Sequence, residues 1–287
     1  MLRRLFATAT LVALATVSLA QERVRDVIYA KQAGIALTMD VFEPAKPNGM
    51  GVIWIVSGGW VSNHAAINPA MAGPLNERGI TVFQVVHGAQ PKYQIPEIVG
   101  QVQRAVRFIR TNAATYGVDP DRLGITGASA GGHLSLMVGG LAGAANPDAP
   151  DPVERSSATV KAIVAYYPPT DFLNYGSTAA EAIKDPKLAV FLPAFGVTKD
   201  TPATRLTEIG KATSPIFLAN PKFPATLIIH GDKDPLVPVQ QAQAMDEALA
   251  KAGVDRKLVI VPGGGHDAKV VMSTFDQLIA WFEQKLR

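Results

Sequence analysis

The chain contains no cysteine, which excludes a disulfide framework, a thiol nucleophile and a thiolate metal site and leaves stability to a buried core. An excess of either charge is also missing. Setting aside the first 20 residues removes Arg3 and Arg4 and no acid, leaving 25 basic against 24 acidic side chains. So even a balance argues against nucleic acid as a partner. Internal repeats and low-complexity tracts are absent. No glycine-rich stretch ends in Gly-Lys-Ser/Thr or completes Gly-x-Gly-x-x-Gly at a strand-to-helix junction, so phosphate loops are excluded as well. The apolar run Leu5 to Val17 is short for a membrane span and has no basic flank behind it. It follows the basic Met1-Leu2-Arg3-Arg4 and precedes the small residues Ser18-Leu19-Ala20, and therefore reads as a secretory signal peptide cleaved after Ala20. The expectation is a periplasmic or extracellular protein with no stable membrane insertion after cleavage, its residues 21–287 forming a single domain.

What the chain does have is a regular alternation of elements. Val24 to Ala30 and Ile35 to Phe42 alternate apolar and polar residues about Gln32-Ala33-Gly34, predicting an opening antiparallel hairpin. Gly51 to Val56 is continuously apolar, as expected of a strand buried on both faces, and empties into Ser57-Gly58-Gly59-Trp60-Val61-Ser62-Asn63-His64. A helix is expected over residues 66–78, a strand from Gly79 to Val86, and a helix over 96–116, where Ile98, Val102, Ala105, Val106, Ile109 and Ala113 recur at helical spacing. Asp119-Pro120-Asp121-Arg122 reads as a turn into the strand Leu123 to Thr126. Further strands are expected at 160–167, 225–229 and 256–261, with helices at 132–141, 240–252 and 273–286. Between Phe172 and Pro215 no single period holds, and an insertion at the carboxyl edge of a sheet is where α/β enzymes carry a cap over the substrate. The predicted architecture is α/β: a mostly parallel central sheet, helices on both faces, and a small cap insertion at about 172–215.

The order strand, sharp turn, helix surrounds Gly127-Ala128-Ser129-Ala130-Gly131. A Gly-x-Ser-x-Gly elbow needs that context, because the serine takes a strained conformation and small residues two before and two after it let strand and helix approach. The helix start adds a backbone N–H, that of Ala130, for an oxyanion. A serine hydroxyl also needs a base oriented by an acid, in the chain order serine, acid, histidine. Of the five histidines, at 64, 87, 133, 230 and 266, only His266 follows the acid loop and sits in a glycine-rich turn. His133 is assigned to packing or hydrogen bonding beneath the elbow, His230 to tying down the acid loop, and His64 and His87 to the cavity wall or to solvent. Asp234 is favoured as the acid because Pro235 to Pro238 would fix its loop; Asp232 is the main competitor, with Asp171 and Asp267 also near strand ends.

Gly127-Ala128-Ser129-Ala130-Gly131-Gly132-His133, Ser214-Pro215-Ile216, His230-Gly231-Asp232-Lys233-Asp234 and Gly265-His266 together resemble the α/β-hydrolase superfamily. Within it, the chain is similar to secreted carboxylesterases and feruloyl or acetyl esterases related to the hormone-sensitive-lipase-like group. The resemblance implies Ser129 as nucleophile, Asp234 as orienting acid and His266 as base. It also implies an oxyanion hole from the N–H groups of Gly58, Gly59 and Ala130, with Trp60 as an extra donor. Trp60, His64 and His87 are the expected substrate-binding side chains. Where that group shows His-Gly-Gly-Gly before the tryptophan, this chain has Val56-Ser57-Gly58-Gly59. The acid loop looks more like that of the feruloyl-esterase and prolyl-oligopeptidase branches. The implied activity is hydrolysis of a small-molecule or polymer-borne carboxylic ester through an acyl-enzyme, with no cofactor and no metal. The rival readings are a prolyl-oligopeptidase-like peptidase and an inactive binding module on the same fold.

Overall fold

A computed structural model describes residues 22–32, 34–141, 143–176 and 181–287. The proposed signal peptide, residues 1–20, lies outside the described residues, as does Ala33 of the expected hairpin turn.

Eight strands form one sheet in the order β1-β2-β4-β3-β5-β6-β7-β8. They are β1 (Glu22–Gln32), β2 (Ile35–Glu43), β3 (Gly49–Val56), β4 (Thr81–Val86), β5 (Val118–Ala128), β6 (Ala162–Tyr166), β7 (Ala225–Gly231) and β8 (Arg256–Val261). β2 pairs antiparallel with β1 and β4, and every other pairing is parallel. The apolar run in β3 serves two cores. Ile53 and Ile55 face the one built with α2 (Ile95–Thr111), α3 (Ala130–Leu141) and α5 (Gln240–Lys251). Val52, Trp54 and Val56 face the other, built with α1 (Gly73–Asn76), α6 (Ala268–Ser273) and α7 (Phe275–Lys285). A central parallel strand is covered on both sides, which is why its pattern is continuous and not alternating.

α3 lies deepest. Every residue from Ala130 to Gly139 is buried, so over that stretch the helix that carries the elbow has no solvent-exposed face. α2 is amphipathic and starts where Glu97 accepts the Gln94 N–H at 2.8 Å, with Pro96 in its first turn. Because β3, β5, β6, β7 and β8 run parallel, their carboxyl ends and the loops that follow meet along one edge.

Four expected elements differ. Residues 66–78 form no single helix but two 3-10 turns, His64–Ala66 and Pro69–Met71, followed by α1. Pro69 and Pro74 cannot donate to a helical ladder, and the side chains of Asn63 and Asn68 cap the short turns instead. The helix expected over 96–116 stops at Thr111, and a 3-10 turn, Ala113–Tyr116, follows. Asp119 to Arg122 belong to β5, but the ladder with β3 passes from Val118 to Leu123 across a bulge, so the residues read as a turn are extended without being paired there. The last helix starts at Phe275, and a short helix that was not expected, α6, precedes it across Thr274, whose hydroxyl donates to the Val270 carbonyl at 2.7 Å.

The segment expected to be a cap contains 3-10 turns at Ala182–Lys184 and Pro186–Phe195 and a helix, α4 (Ala203–Thr213), that the irregular pattern did not disclose.

Candidate active site

β5 ends at Ala128 and α3 begins at Ala130, leaving Ser129 between them at φ 55°. The left-handed region costs an L-residue roughly 1–2 kcal/mol. Ser129 is held there by donating its N–H to the Tyr166 carbonyl at 2.9 Å and accepting the His133 N–H at 2.9 Å. A methyl group at Gly127 would lie 2.5 Å from the Gly131 carbonyl carbon, so strand and helix can close on the serine only if that position has no side chain.

His266 Nε2 lies 2.9 Å from Ser129 Oγ, and its Nδ1 lies 2.7 Å from Asp234 Oδ2. A carboxylate only accepts, so Nδ1 carries the proton and Nε2 is left to accept from the serine hydroxyl. The Asp234 side chain is fully buried, and that of His266 is 16% exposed. Burial works to raise the Asp234 pKa, but hydrogen bonds from His230 and His266 and from the N–H groups of Val237 and Leu236 outweigh it and hold the carboxyl well below the usual carboxylate range. His230 Nε2 donates mainly to the Val237 carbonyl at 2.8 Å, with Asp234 Oδ2 at 3.3 Å as a secondary acceptor. The Tyr167 ring, just past β6, packs 4.6 Å from the His266 ring.

The other acids are engaged elsewhere. Asp232 accepts the Gly263 N–H at 2.7 Å, tying the acid loop to the histidine loop. Asp171 accepts the N–H groups of Leu173 and Asn174, and Asp267 caps α6 through the Lys269 N–H.

Beyond β3, Gly58 and Val61 exchange reciprocal N–H···O bonds of 3.0 Å around a turn whose central residues, Gly59 and Trp60, both have positive φ, 54° and 60°. The Gly58 N–H is thereby spent on the Val61 carbonyl, which corrects its assignment as an oxyanion donor. Among the described residues, the N–H groups of Gly59, Trp60 and Ala130 have no acceptor. The Trp60 indole N–H is not available either, because it donates to His133 Nδ1 at 3.1 Å. Gln90 secures the turn from outside: its side-chain amide donates to the Gly59 carbonyl at 2.7 Å and its backbone N–H to the Trp60 carbonyl at 3.1 Å. These bonds anchor the turn without the histidine that leads the related motif.

Gly59, Trp60, Ser129 and Ala130 line a small apolar cavity of about 40 Å³, closed by Phe172, Tyr175, Phe191, Leu192 and Phe195. Trp60 therefore sits at the cavity as expected; His64 and His87 do not line it. His64 is half-exposed, with Nε2 2.5 Å from Thr38 Oγ1 on β2. His87 is buried after β4, its Nδ1–H donating to the Gly88 carbonyl at 2.7 Å, and burial pulls its pKa down to about 4 although that hydrogen bond opposes the shift. Strand order explains His87, because β3 stands between β4 and the serine strand β5; His64 follows β3 but turns back toward Thr38 on β2, which is farther still. The aromatic residues of the cap were not singled out in the sequence, because no periodicity marks residues that meet only at a cavity.

The sheet, the elbow and the strand-end loops define an α/β-hydrolase. Within that class the chain belongs to the BD-FAE family, whose model matches residues 39–249. It is 32% identical over 208 residues to the esterase LipQ of Mycobacterium tuberculosis, an alignment covering 70% of this chain and 46% of LipQ. It is 27% identical over 276 residues to the acetylxylan esterase of Xylanibacter ruminicola, covering 92% of this chain and 50% of that protein. The chain spans about half the length of the curated relatives it matches. Among solved structures, a truncated carbohydrate esterase from gut microbiota superposes with a TM-score of 0.79 at 27% identity, covering 92% of this chain and 96% of that one.

Proposed function

We propose that this chain is an exported serine esterase that hydrolyses short-acyl carboxylic esters through an acyl-enzyme. The observation that carries the reading is the unbroken hydrogen-bonded line Ser129–His266–Asp234 at a cavity that also presents unpaired N–H groups. Ser129 Oγ attacks the ester carbonyl carbon while its proton passes to His266 Nε2. The oxyanion is received by the N–H groups of Gly59, Trp60 and Ala130. Nε2–H then protonates the departing alkoxide as the C–O bond breaks, leaving an acylated serine and a free alcohol. Water, deprotonated by the same nitrogen, attacks the acyl carbon, and collapse releases the acid and restores the hydroxyl. Asp234 holds the ring and stabilises the transient imidazolium.

Cavity size favours an acetyl group. A space of about 40 Å³ holds roughly three water-sized groups, enough for an acetyl methyl. With an acetylxylan esterase and a carbohydrate esterase among the relatives, acetylated carbohydrate is the substrate class proposed. Export is proposed from the signal-peptide pattern read in residues 1–20. Ser129→Ala should abolish turnover of p-nitrophenyl acetate and acetylated xylan while leaving the melting temperature nearly unchanged. Retained turnover in that variant would reject the assignment, and faster release of ferulate from methyl ferulate than of acetate would reject the substrate class.

A further inference from the structure

His133 lies four residues beyond Ser129, is fully buried, and takes no part in the proton transfers above. Both of its ring nitrogens are nevertheless committed. The Trp60 indole N–H can only donate, so the 3.1 Å contact requires His133 Nδ1 to accept. The Thr213 carbonyl can only accept, so its 2.8 Å contact requires Nε2 to donate. One species satisfies both, the neutral imidazole protonated on Nε2. Burial also favours that neutral form, lowering the pKa to about 4 against the opposing bond to Thr213. The ring stands edge-on to the Trp60 indole, centroids 5.4 Å apart and planes at 84°. Thr213 is the last residue of α4, and Trp60 occupies the second left-handed position of the turn after β3. A single imidazole thus joins the nucleophile helix, the turn and the cap.

We propose that His133 is a positioning residue: as the Nε2–H tautomer it ties the cap helix to the turn after β3 and so keeps the N–H groups of Gly59 and Trp60 directed at the Ser129 cavity. This inference rests on the oxyanion role given to that turn. Gln90 restrains only the turn's carbonyls. A left-handed tryptophan persists only where its surroundings over-determine it, and the indole, bonded to His133 and packed against Phe172, Phe191 and Phe195, is where the cap holds the turn. Loosening it displaces donors that act on the transition state, which lowers kcat with little change in KM.

Three variants separate the links. Trp60→Phe keeps an aromatic ring and loses the N–H. His133→Asn keeps an acceptor at the position of Nδ1 and loses the bond to Thr213. His133→Phe loses both. With p-nitrophenyl acetate, kcat should fall about tenfold or more in Trp60→Phe and in His133→Phe, with KM changed by less than about threefold. The Trp60→Phe/His133→Phe double variant should be no slower than the slower single one, as expected for two ends of one link. His133→Asn, which keeps an acceptor for the indole and loses the tie to the cap, should have a kcat between those of the wild type and His133→Phe and should accept butyryl esters more readily; a kcat equal to the wild type's would remove the cap from the link. Unchanged kcat in folded Trp60→Phe, or additive losses in the double variant, would overturn the proposal. If His133→Phe does not fold, nitrogen-15 NMR of the wild-type imidazole decides: protonated Nε2 with bare Nδ1 supports the link, and the opposite tautomer or an imidazolium at neutral pH refutes it. A wild-type protein without ester turnover would instead reject the esterase reading, independently of that spectrum.

Discussion

Replacing Asp234 with asparagine tests the proton arrangement of the site with almost no change of shape. Asp234 Oδ1 accepts the N–H groups of Leu236 at 2.9 Å and Val237 at 2.8 Å, while Oδ2 faces His266 Nδ1 at 2.7 Å. An asparagine offers one oxygen and one NH₂. The two backbone donors draw the oxygen to the Oδ1 position, because the flipped amide would leave both of them unpaired at a cost of roughly 1–3 kcal/mol each. The NH₂ then faces His266 Nδ1, which must accept, and the ring proton moves to Nε2. There it points at the Ser129 hydroxyl and cannot take the serine's proton. In a Ser-His-Asp site the wrong tautomer lowers kcat by about 10⁴, which corresponds to roughly 5 kcal/mol in the barrier. The comparison is Asp232→Asn: its carboxylate accepts the Gly263 N–H at 2.7 Å, and an amide oxygen can do the same. Steady-state hydrolysis of p-nitrophenyl acetate, with melting curves to confirm folding, should show Asp234→Asn nearly dead and Asp232→Asn close to wild type. An Asp234→Asn enzyme within about tenfold of wild type, where about 10⁴ is expected, would refute the tautomer argument; a more damaging Asp232→Asn would move the acid to residue 232.

Phe191 closes the cavity beside Ser129, its ring 5.9 Å from that of Trp60. Phe191→Ala should raise the butyrate-to-acetate ratio of kcat/KM, by roughly 1–3 kcal/mol for each methylene newly accommodated; an unchanged ratio would remove Phe191 from the acyl site. Acid should destabilise the fold in two stages. Burial lowers the pKa of His87 and His133 to about 4, so as pH falls from about 6.5 the unfolded chain binds protons that the folded one does not, losing up to ~1.4 kcal/mol per pH unit for each histidine. The contribution of Asp234, whose folded pKa is depressed, persists above about pH 4 and is lost only as pH falls below that. Urea midpoints that stay flat between about pH 6.5 and 4.5 would contradict the neutral, buried histidines. Gly127→Ala places a methyl 2.5 Å from the Gly131 backbone; displacing the elbow should cost about a hundredfold in kcat/KM and lower the melting temperature, and full activity would show that the close approach is not required.

The linear sequence disclosed whatever depends on local pattern. The strands announced themselves because a parallel sheet covered on both faces demands unbroken apolar runs such as Gly51 to Val56. The elbow was legible because its steric demand falls on residues 127, 129 and 131 of one short stretch, and Ser129, Asp234 and His266 could be placed at one edge because each follows a strand of the same direction. The choice of Asp234 over Asp232 was legible only as a preference, from the prolines that fix the loop after residue 234. Two residues apart on one loop, the two acids differ in which way the loop turns their carboxylates, one toward Gly263 and the other toward His266. Nor could His64 and His87 be excluded from the cavity, since no local pattern reports that β3 separates β4 from β5 or that His64 turns back to Thr38 on β2. The Gly58 N–H looked as free as its neighbour's until the turn closed on Val61. The chain by itself determined which residues can be strand, elbow or helix, because those preferences act between neighbours in sequence. Strand order, the meeting of Ser129, Asp234 and His266 and the size of the cavity beside them were decided only by the tertiary structure, because each depends on contacts between residues tens to more than a hundred positions apart.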